Sequence, residues 1–181
     1  MEQFNLVHHA LEFAAKAHRG QLRKGTDIPY IVHPMEAALI LSQAGGSECL
    51  IAAAILHDTL EDTDTKEFEL ESAFGSEVTH LVKSMTKDEG LSWEENRQHS
   101  IDRLSTATKD EKMLLLADKL ANLRSIAADY ELLQDELWVR FNRGYADQKW
   151  YYVGIAKALT SLADLSAYQE YCLLVQHVFG A

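Results

Sequence analysis

At 181 residues and 47% hydrophobic, the chain can fill one core and needs no more than one domain, read as residues 1–181. It carries 17 Lys and Arg against 28 Asp and Glu, a formal net charge of −11. That balance excludes a general nucleic-acid binder, so a phosphorylated ligand must be held locally by a metal or a few placed cations. Cys49 and Cys172 are too few for a disulfide framework, the acidic N-terminus lacks the basic start of a signal peptide, and no apolar run reaches membrane-spanning length. The expectation is a soluble cytoplasmic protein with no membrane partner.

Residues 4–18 set Phe4, Val7, Leu11, Ala14 and His18 at three- and four-residue steps, the stripe of an amphipathic helix. His8 and His9 fall at its surface or boundary. Residues 19–34, RGQLRKGTDIPYIVHP, are the most basic stretch, with Arg19, Arg23 and Lys24 around a turn at Gly25. Both prolines, Pro29 and Pro34, lie here. Each holds its preceding residue extended, and Pro34 suits the first turn of a helix. His33 is thus fixed from both sides at a helix entrance, as a loop cap or as a rigidly mounted ligand. A helix over 35–44 ends at Gly45 and Gly46, and Ser47 caps the next.

That next helix, Leu50 to Asp62, starts as an unbroken apolar run and ends in His57, Asp58, Glu61 and Asp62. A continuous helix stacks His57 over Glu61 and Asp58 over Asp62, delivering an imidazole and as many as three carboxylates to one spot. Two explanations stay open: a helix end in solvent, or a cation site. Acids at a helix C-terminus oppose the macrodipole, and carboxylates near a core need a partner, which favours the cation.

Asp64 with Glu67 fits a capping box for a short helix to Phe74, closed by Gly75. Ser76 starts another, with Val78, Leu81, Val82 and Met85 inward and His80 partly exposed. Residues 86–92 read as a mobile loop. Ser92 with Glu95 caps a helix carrying Trp93, Ile101 and Leu104. Lys109 to Tyr130 buries Met113, Leu114, Leu115 and Leu116, then presents Asp118, Asn122 and Ser125 at four- and three-residue steps. Pairing of Asp118 with Lys119 or Arg124 is the plain alternative to a ligand role. A helix with Trp138, Phe141, Trp150, Tyr151 and Tyr152 reads as core, and a last helix runs from Leu162 to Phe179. With no strand pattern and no repeat, the fold class is all-α.

His33, His57, Asp58 and Asp118 together supply two imidazoles and two carboxylates. A mixed nitrogen and oxygen set without thiolates fits Mn²⁺, Fe²⁺ or Mg²⁺, and admits Zn²⁺. Glu61 and Asp62, one turn on, are placed to orient or deprotonate a water. Arg23 and Lys24 can clamp phosphate oxygens. The set suits phosphoester hydrolysis.

The order H…HD…D, set in AHRGQLRKGTDIPYIVHP, AAAILHDTLEDTDT and LLLADKLANLRS, resembles the HD-domain metal-dependent phosphohydrolases. Within them it is most similar to the RelA/SpoT-type hydrolase domain, as found in the stand-alone small alarmone hydrolases (the Mesh1-like group). The likeness covers about residues 7–165. It implies a single-domain HD-type helical bundle that uses Mn²⁺ to remove the 3′-pyrophosphate of (p)ppGpp, giving GDP or GTP and pyrophosphate. It further implies His33, His57, Asp58 and Asp118 as metal ligands and Glu61 and Asp62 as the catalytic pair. Arg23, Lys24, Asn122 and Ser125 are the implied contacts to a small nucleotide substrate, Ser125 standing where a threonine is common. Two departures bear on nucleotide choice: RKGTDIPY is one residue longer than the RKSGEPY form, and KDEGLSWEEN replaces a Lys-rich connection. No synthetase segment follows, so the expectation is hydrolysis without opposing synthesis. Homo-oligomerisation is left open. So are hydrolysis of another nucleotide, such as NADPH or a nucleoside phosphate, and a non-catalytic nucleotide-binding module, although the Glu61–Asp62 pair argues against the module.

Overall fold

The computed structural model describes residues 6–88 and 90–180. Phe4 lies outside them. Helix α1 spans Leu6–Ala17, α2 Val32–Gln43, α3 Glu48–Leu56, α4 Thr59–Asp62 and α5 Glu67–Met85. They are followed by α6 Trp93–Asp102, α7 Lys109–Leu133, α8 Tyr145–Ala158 and α9 Ser166–Phe179, with 3-10 turns at 103–105, 134–140 and 160–162. Among the described residues there is no sheet, only an isolated bridge between Leu22 and Pro29. No described helix is long and apolar enough to cross a membrane.

Helix α3 is the axis of the first half. The Ser47 hydroxyl caps it by accepting from Leu50 N–H at 3.1 Å. Leu50, Ala52, Ala53, Ala54, Ile55 and Leu56 are all buried, and a helix apolar on every side belongs in a core. It packs against α1, α2, α5 and α7. Helix α7 plays the same part in the second half, against α2, α5 and α9. Thr108 opens α7 through a reciprocal box with Glu111. The site forms where the end of α3, the first turn of α2 and the middle of α7 meet.

The expected single helix from Leu50 to Asp62 is broken. Helix α3 ends at Leu56, and Asp58 (φ −95°, ψ −2°) sits in the bridge region between helix and turn before α4 starts. Local side-chain bonds favour the break: His57 Nδ1 lies 2.7 Å from the Ala54 carbonyl, and Thr59 Oγ1 donates to the Leu56 carbonyl at 2.7 Å. The stacking of His57 on Glu61 therefore does not apply; the break turns His57 and Asp58 toward α2 and α7 instead.

Other boundaries also move. The second helix begins at Val32, which puts His33 and Pro34 in its first turn. The expected Asp64–Glu67 box is replaced by Lys66 N–H donating to Glu69 at 2.8 Å, so the helix opens two residues later. It does break at Gly75 as expected, where φ is +80°, and resumes into the segment that buries Val78, Leu81 and Val82. The Ser92–Glu95 box is present. The aromatic helix is split: Trp138 lies in the 134–140 turn and Phe141 beyond it, while Trp150, Tyr151 and Tyr152 lie in α8. The last helix starts at Ser166 rather than Leu162.

Candidate metal centre and adjoining cavities

Four donor atoms converge. Asp58 Oδ2 lies 3.5 Å from His33 Nε2 and 3.1 Å from His57 Nε2. Asp118 Oδ1 lies 3.2 Å and 3.7 Å from the same two nitrogens. His33, His57 and Asp58 offer ligand atoms all within 4.8 Å of one another. Metal bonds of about 2.1 Å place neighbouring ligand atoms about 3.0–3.5 Å apart, so the spacing matches one shared cation.

The donor chemistry fits a metal independently of spacing. His57 is 1% exposed, and its Nδ1 faces a carbonyl, which can only accept. Nδ1 therefore carries the hydrogen and Nε2 presents a lone pair. That Nε2 is buried without a hydrogen-bond partner and faces two carboxylates. A lone pair opposed to two anions is satisfied by a proton or a cation. Burial works against a charged His57, yet Asp58 and Asp118 outweigh it and hold its pKa well above the ordinary imidazole value. Burial likewise pushes Asp58 and Asp118 up, but His57 brings Asp58 below the usual carboxylate range, and Lys119 with the two imidazoles does the same for Asp118.

A ring of hydrogen bonds orients these ligands. Lys119 Nζ holds Asp118 Oδ2 at 2.6 Å, and Asn122 Nδ2 donates to Oδ1 at 2.7 Å. Arg23 Nη2 donates to Asn122 Oδ1 at 3.1 Å, linking the basic loop to the ligand shell. The Tyr30 hydroxyl contacts Asp58 Oδ2 at 2.7 Å and Asp62 Oδ2 at 2.9 Å. Burial and those two carboxylates raise its pKa far above the phenol range. Gln21 Nε2 donates to the Asp62 carbonyl, and Gln21 Oε1 is held by buried His18 at 2.7 Å. Lys87 donates from both its backbone N–H and its Nζ to Glu61.

Two cavities meet at this cluster. A polar one of about 190 Å³ is lined by Asp58, Glu61, Asp62, Asp118, Lys119 and Arg97, among others. A larger one of about 450 Å³ is lined by Arg23, Lys24, Ser125, Ile126, Phe141 and Tyr152, among others. Tyr30, His33 and Asn122 face both. All four candidate ligands are thus brought together, and Glu61 and Asp62 stand beside them. Asn122 bonds the candidate ligand Asp118 and accepts in turn from Arg23, while Arg23, Lys24 and Ser125 line only the larger cavity. Pairing of Asp118 with Lys119 occurs alongside the cluster; Arg124 instead bridges Glu36 and Glu170. The sequence names Lys119 only as a pairing partner for Asp118 and Tyr151 only as core, and it does not single out Tyr30, Lys87 or Arg97. Tyr30 is flagged only by adjacency to Pro29, and Lys87 and Arg97 by no local signal.

A model of the HD domain family matches residues 10–139. The chain is 40% identical over 124 residues to the guanosine-3′,5′-bis(diphosphate) 3′-pyrophosphohydrolase MESH1 of Xenopus tropicalis, covering 67% of this chain and 69% of that one. A solved structure from Listeria monocytogenes EGD-e superposes with a TM-score of 0.78 at 37% identity, over 82% of this chain and 99% of its own. A metazoan ortholog of SpoT, described as hydrolysing ppGpp and acting in starvation responses, gives 0.75 at 27% identity, over 97% and 94%. Every residue from His33 to Ser125 lies inside the matched segment, and the chain belongs to the HD-domain family alongside the MESH1 pyrophosphohydrolases.

Proposed function

We propose that this protein is a metal-dependent guanosine-3′,5′-bis(diphosphate) 3′-pyrophosphohydrolase. The observation that carries the proposal is His57 Nε2, buried without a hydrogen-bond partner and facing two carboxylates, in one cluster with His33, which faces both a nucleoside-sized cavity and a polar one. The kinship with MESH1 supports the substrate. We assign His33, His57, Asp58 and Asp118 as ligands and Mn²⁺ as the ion, since imidazoles mixed with carboxylates suit it. When bound, the ion polarises a phosphoryl oxygen and lowers the pKa of a coordinated water. A reducing cytoplasm is the assigned compartment, consistent with two free cysteines.

Arg23, Lys24, Asn122 and Ser125 hold the nucleoside and direct its 3′-diphosphate at the cluster. Asp62, steadied by Tyr30 and Gln21, accepts a proton from the attacking water. Glu61 is occupied by Lys87 and orients the water rather than deprotonating it. The water oxygen bonds to the phosphorus nearest the ribose, the bond from that phosphorus to the 3′ oxygen breaks, the 3′ oxygen gains a proton, and pyrophosphate leaves. In-line attack brings the water from the polar cavity, opposite the ribose.

The test pairs metal content with ppGpp turnover. Asp62→Asn should keep the metal and lose about 10²- to 10⁴-fold in rate. Asp118→Ala should lose both together. A wild-type rate in Asp62→Asn removes its role as proton acceptor, and full metal content in Asp118→Ala removes it from the ligand set.

A further inference from the structure

The polar cavity runs past the ligand cluster to a wall that the reaction above leaves unused. Arg97, Ser100 and Arg103 on and just after α6, and Tyr151 on α8, build it. The wall is firmly seated: at Gly154 on α8 an added Cβ would come within 2.6 Å of Ile101 Cδ1 on α6. In a chain of net charge −11, guanidinium groups find carboxylates readily. Arg124 pairs with Glu36 and Glu170, Arg140 with Asp129, and Arg143 with Glu94. Among the described residues, neither Arg97 nor Arg103 comes within ion-pair distance of a carboxylate, although Glu111 lies near enough to Arg103 to feel its charge. Arg97 lies instead over the rings of Tyr151 (4.6 Å) and Trp93 (5.6 Å), with Nη1 3.5 Å from the Tyr151 hydroxyl. Aromatic faces fix the guanidinium plane and leave N–H groups at its edge for an anion. Burial pushes the Tyr151 phenol up, but Lys119 and Arg97 outweigh it and lower its pKa, a sign of positive potential at this wall.

We infer that Arg97 and Arg103, with the Tyr151 hydroxyl, form a subsite for the terminal phosphate of the substrate's diphosphate, and so for the departing pyrophosphate. The inference rests on the pyrophosphohydrolase reading. With the nucleoside in the larger cavity, a group passing Tyr30, His33 and Asn122 reaches the ligand cluster and then this wall. A monophosphate ends at the cluster; only a diphosphate extends to Arg97. The wall therefore selects chain length.

Calorimetric titration of metal-loaded protein with inorganic pyrophosphate and with inorganic phosphate tests this. Arg97→Gln and Arg103→Gln should each weaken pyrophosphate about tenfold or more, the scale of a charge-assisted contact, and leave phosphate unchanged. Equal weakening of both anions, or of neither, overturns the subsite. An Arg97 that merely ties α6 to α8 would lower the melting temperature of Arg97→Gln and leave the preference for pyrophosphate intact. Parallel ppGpp assays separate the two claims. Binding that depends on Arg97 in a wild type inert toward ppGpp keeps the subsite and removes the activity. Cleavage of ppGpp with pyrophosphate affinity untouched by both variants does the reverse.

Discussion

A single phenolic proton serves two carboxylates at the centre of this site. The Tyr30 hydroxyl can donate to Asp58 or to Asp62, not to both at once, so it couples the ligand shell to the residue assigned as proton acceptor. Tyr30→Phe removes that link without changing the ring. Groups that orient ligands in this way are worth about 10- to 100-fold in metal affinity or rate. Metal titration and turnover of Tyr30→Phe should show a loss of that size, and wild-type values in both would deny Tyr30 any such part. His57 yields a second prediction. Its folded pKa lies above its unfolded value of about 6.5, so its imidazolium stabilises fully below that pH, and this contribution is lost as pH rises through the folded pKa. Chelated protein should therefore lose melting temperature from mildly acid to alkaline pH. Divalent metal, which needs the neutral ring, should reverse the slope, and His57→Gln should abolish it. A chelated wild type whose melting temperature ignores pH in this window would contradict the assignment.

At the scale of elements, helix α7 carries both core and site, and its start is separable from both. Thr108 and Glu111 close its first turn on each other at 2.7–3.2 Å. Burial works to raise the Glu111 carboxyl, but its Thr108 bonds, with His80 and Arg103 nearby, hold it below the usual range. Its contribution is thus present above the unfolded carboxylate pKa and lost as pH falls through the folded one. Thr108→Ala should cost about 1 kcal/mol, read as a lower denaturant midpoint with unchanged ppGpp turnover. An unchanged midpoint would show that the box contributes nothing. The caps at Ser47, Ser92 and Thr108 were of unequal legibility. Ser47 and the Ser92–Glu95 box stand out locally and are present. The break after Leu56 was not legible, because Thr59, Leu60 and Glu61 continue a helical pattern while the bonds of His57 and Thr59 end the helix. The turn that ends α7 was hidden too: Gln134 reverses the chain at φ +49° without a glycine to announce it.

For the whole molecule, the all-α class and the convergence of His33, His57, Asp58 and Asp118 were readable because apolar periodicity and ligand chemistry are local properties of the chain. The surroundings were not, since Lys87 reaches Glu61 from 26 residues away and Arg97 meets Tyr151 from 54. The first exists only once the end of α5 comes back to α4, the second only once α6 packs on α8. They give an acidic protein two cavities with locally placed cations on either side of one ligand cluster, an arrangement that admits a nucleotide and its diphosphate together. The most direct measurement is hydrolysis of ppGpp by Mn²⁺-loaded protein in heavy-oxygen water, with products separated by anion exchange and weighed by mass spectrometry. The predicted result is unlabelled GDP and pyrophosphate carrying one heavy oxygen. Orthophosphate in place of pyrophosphate, label in the nucleoside, or intact ppGpp would contradict it.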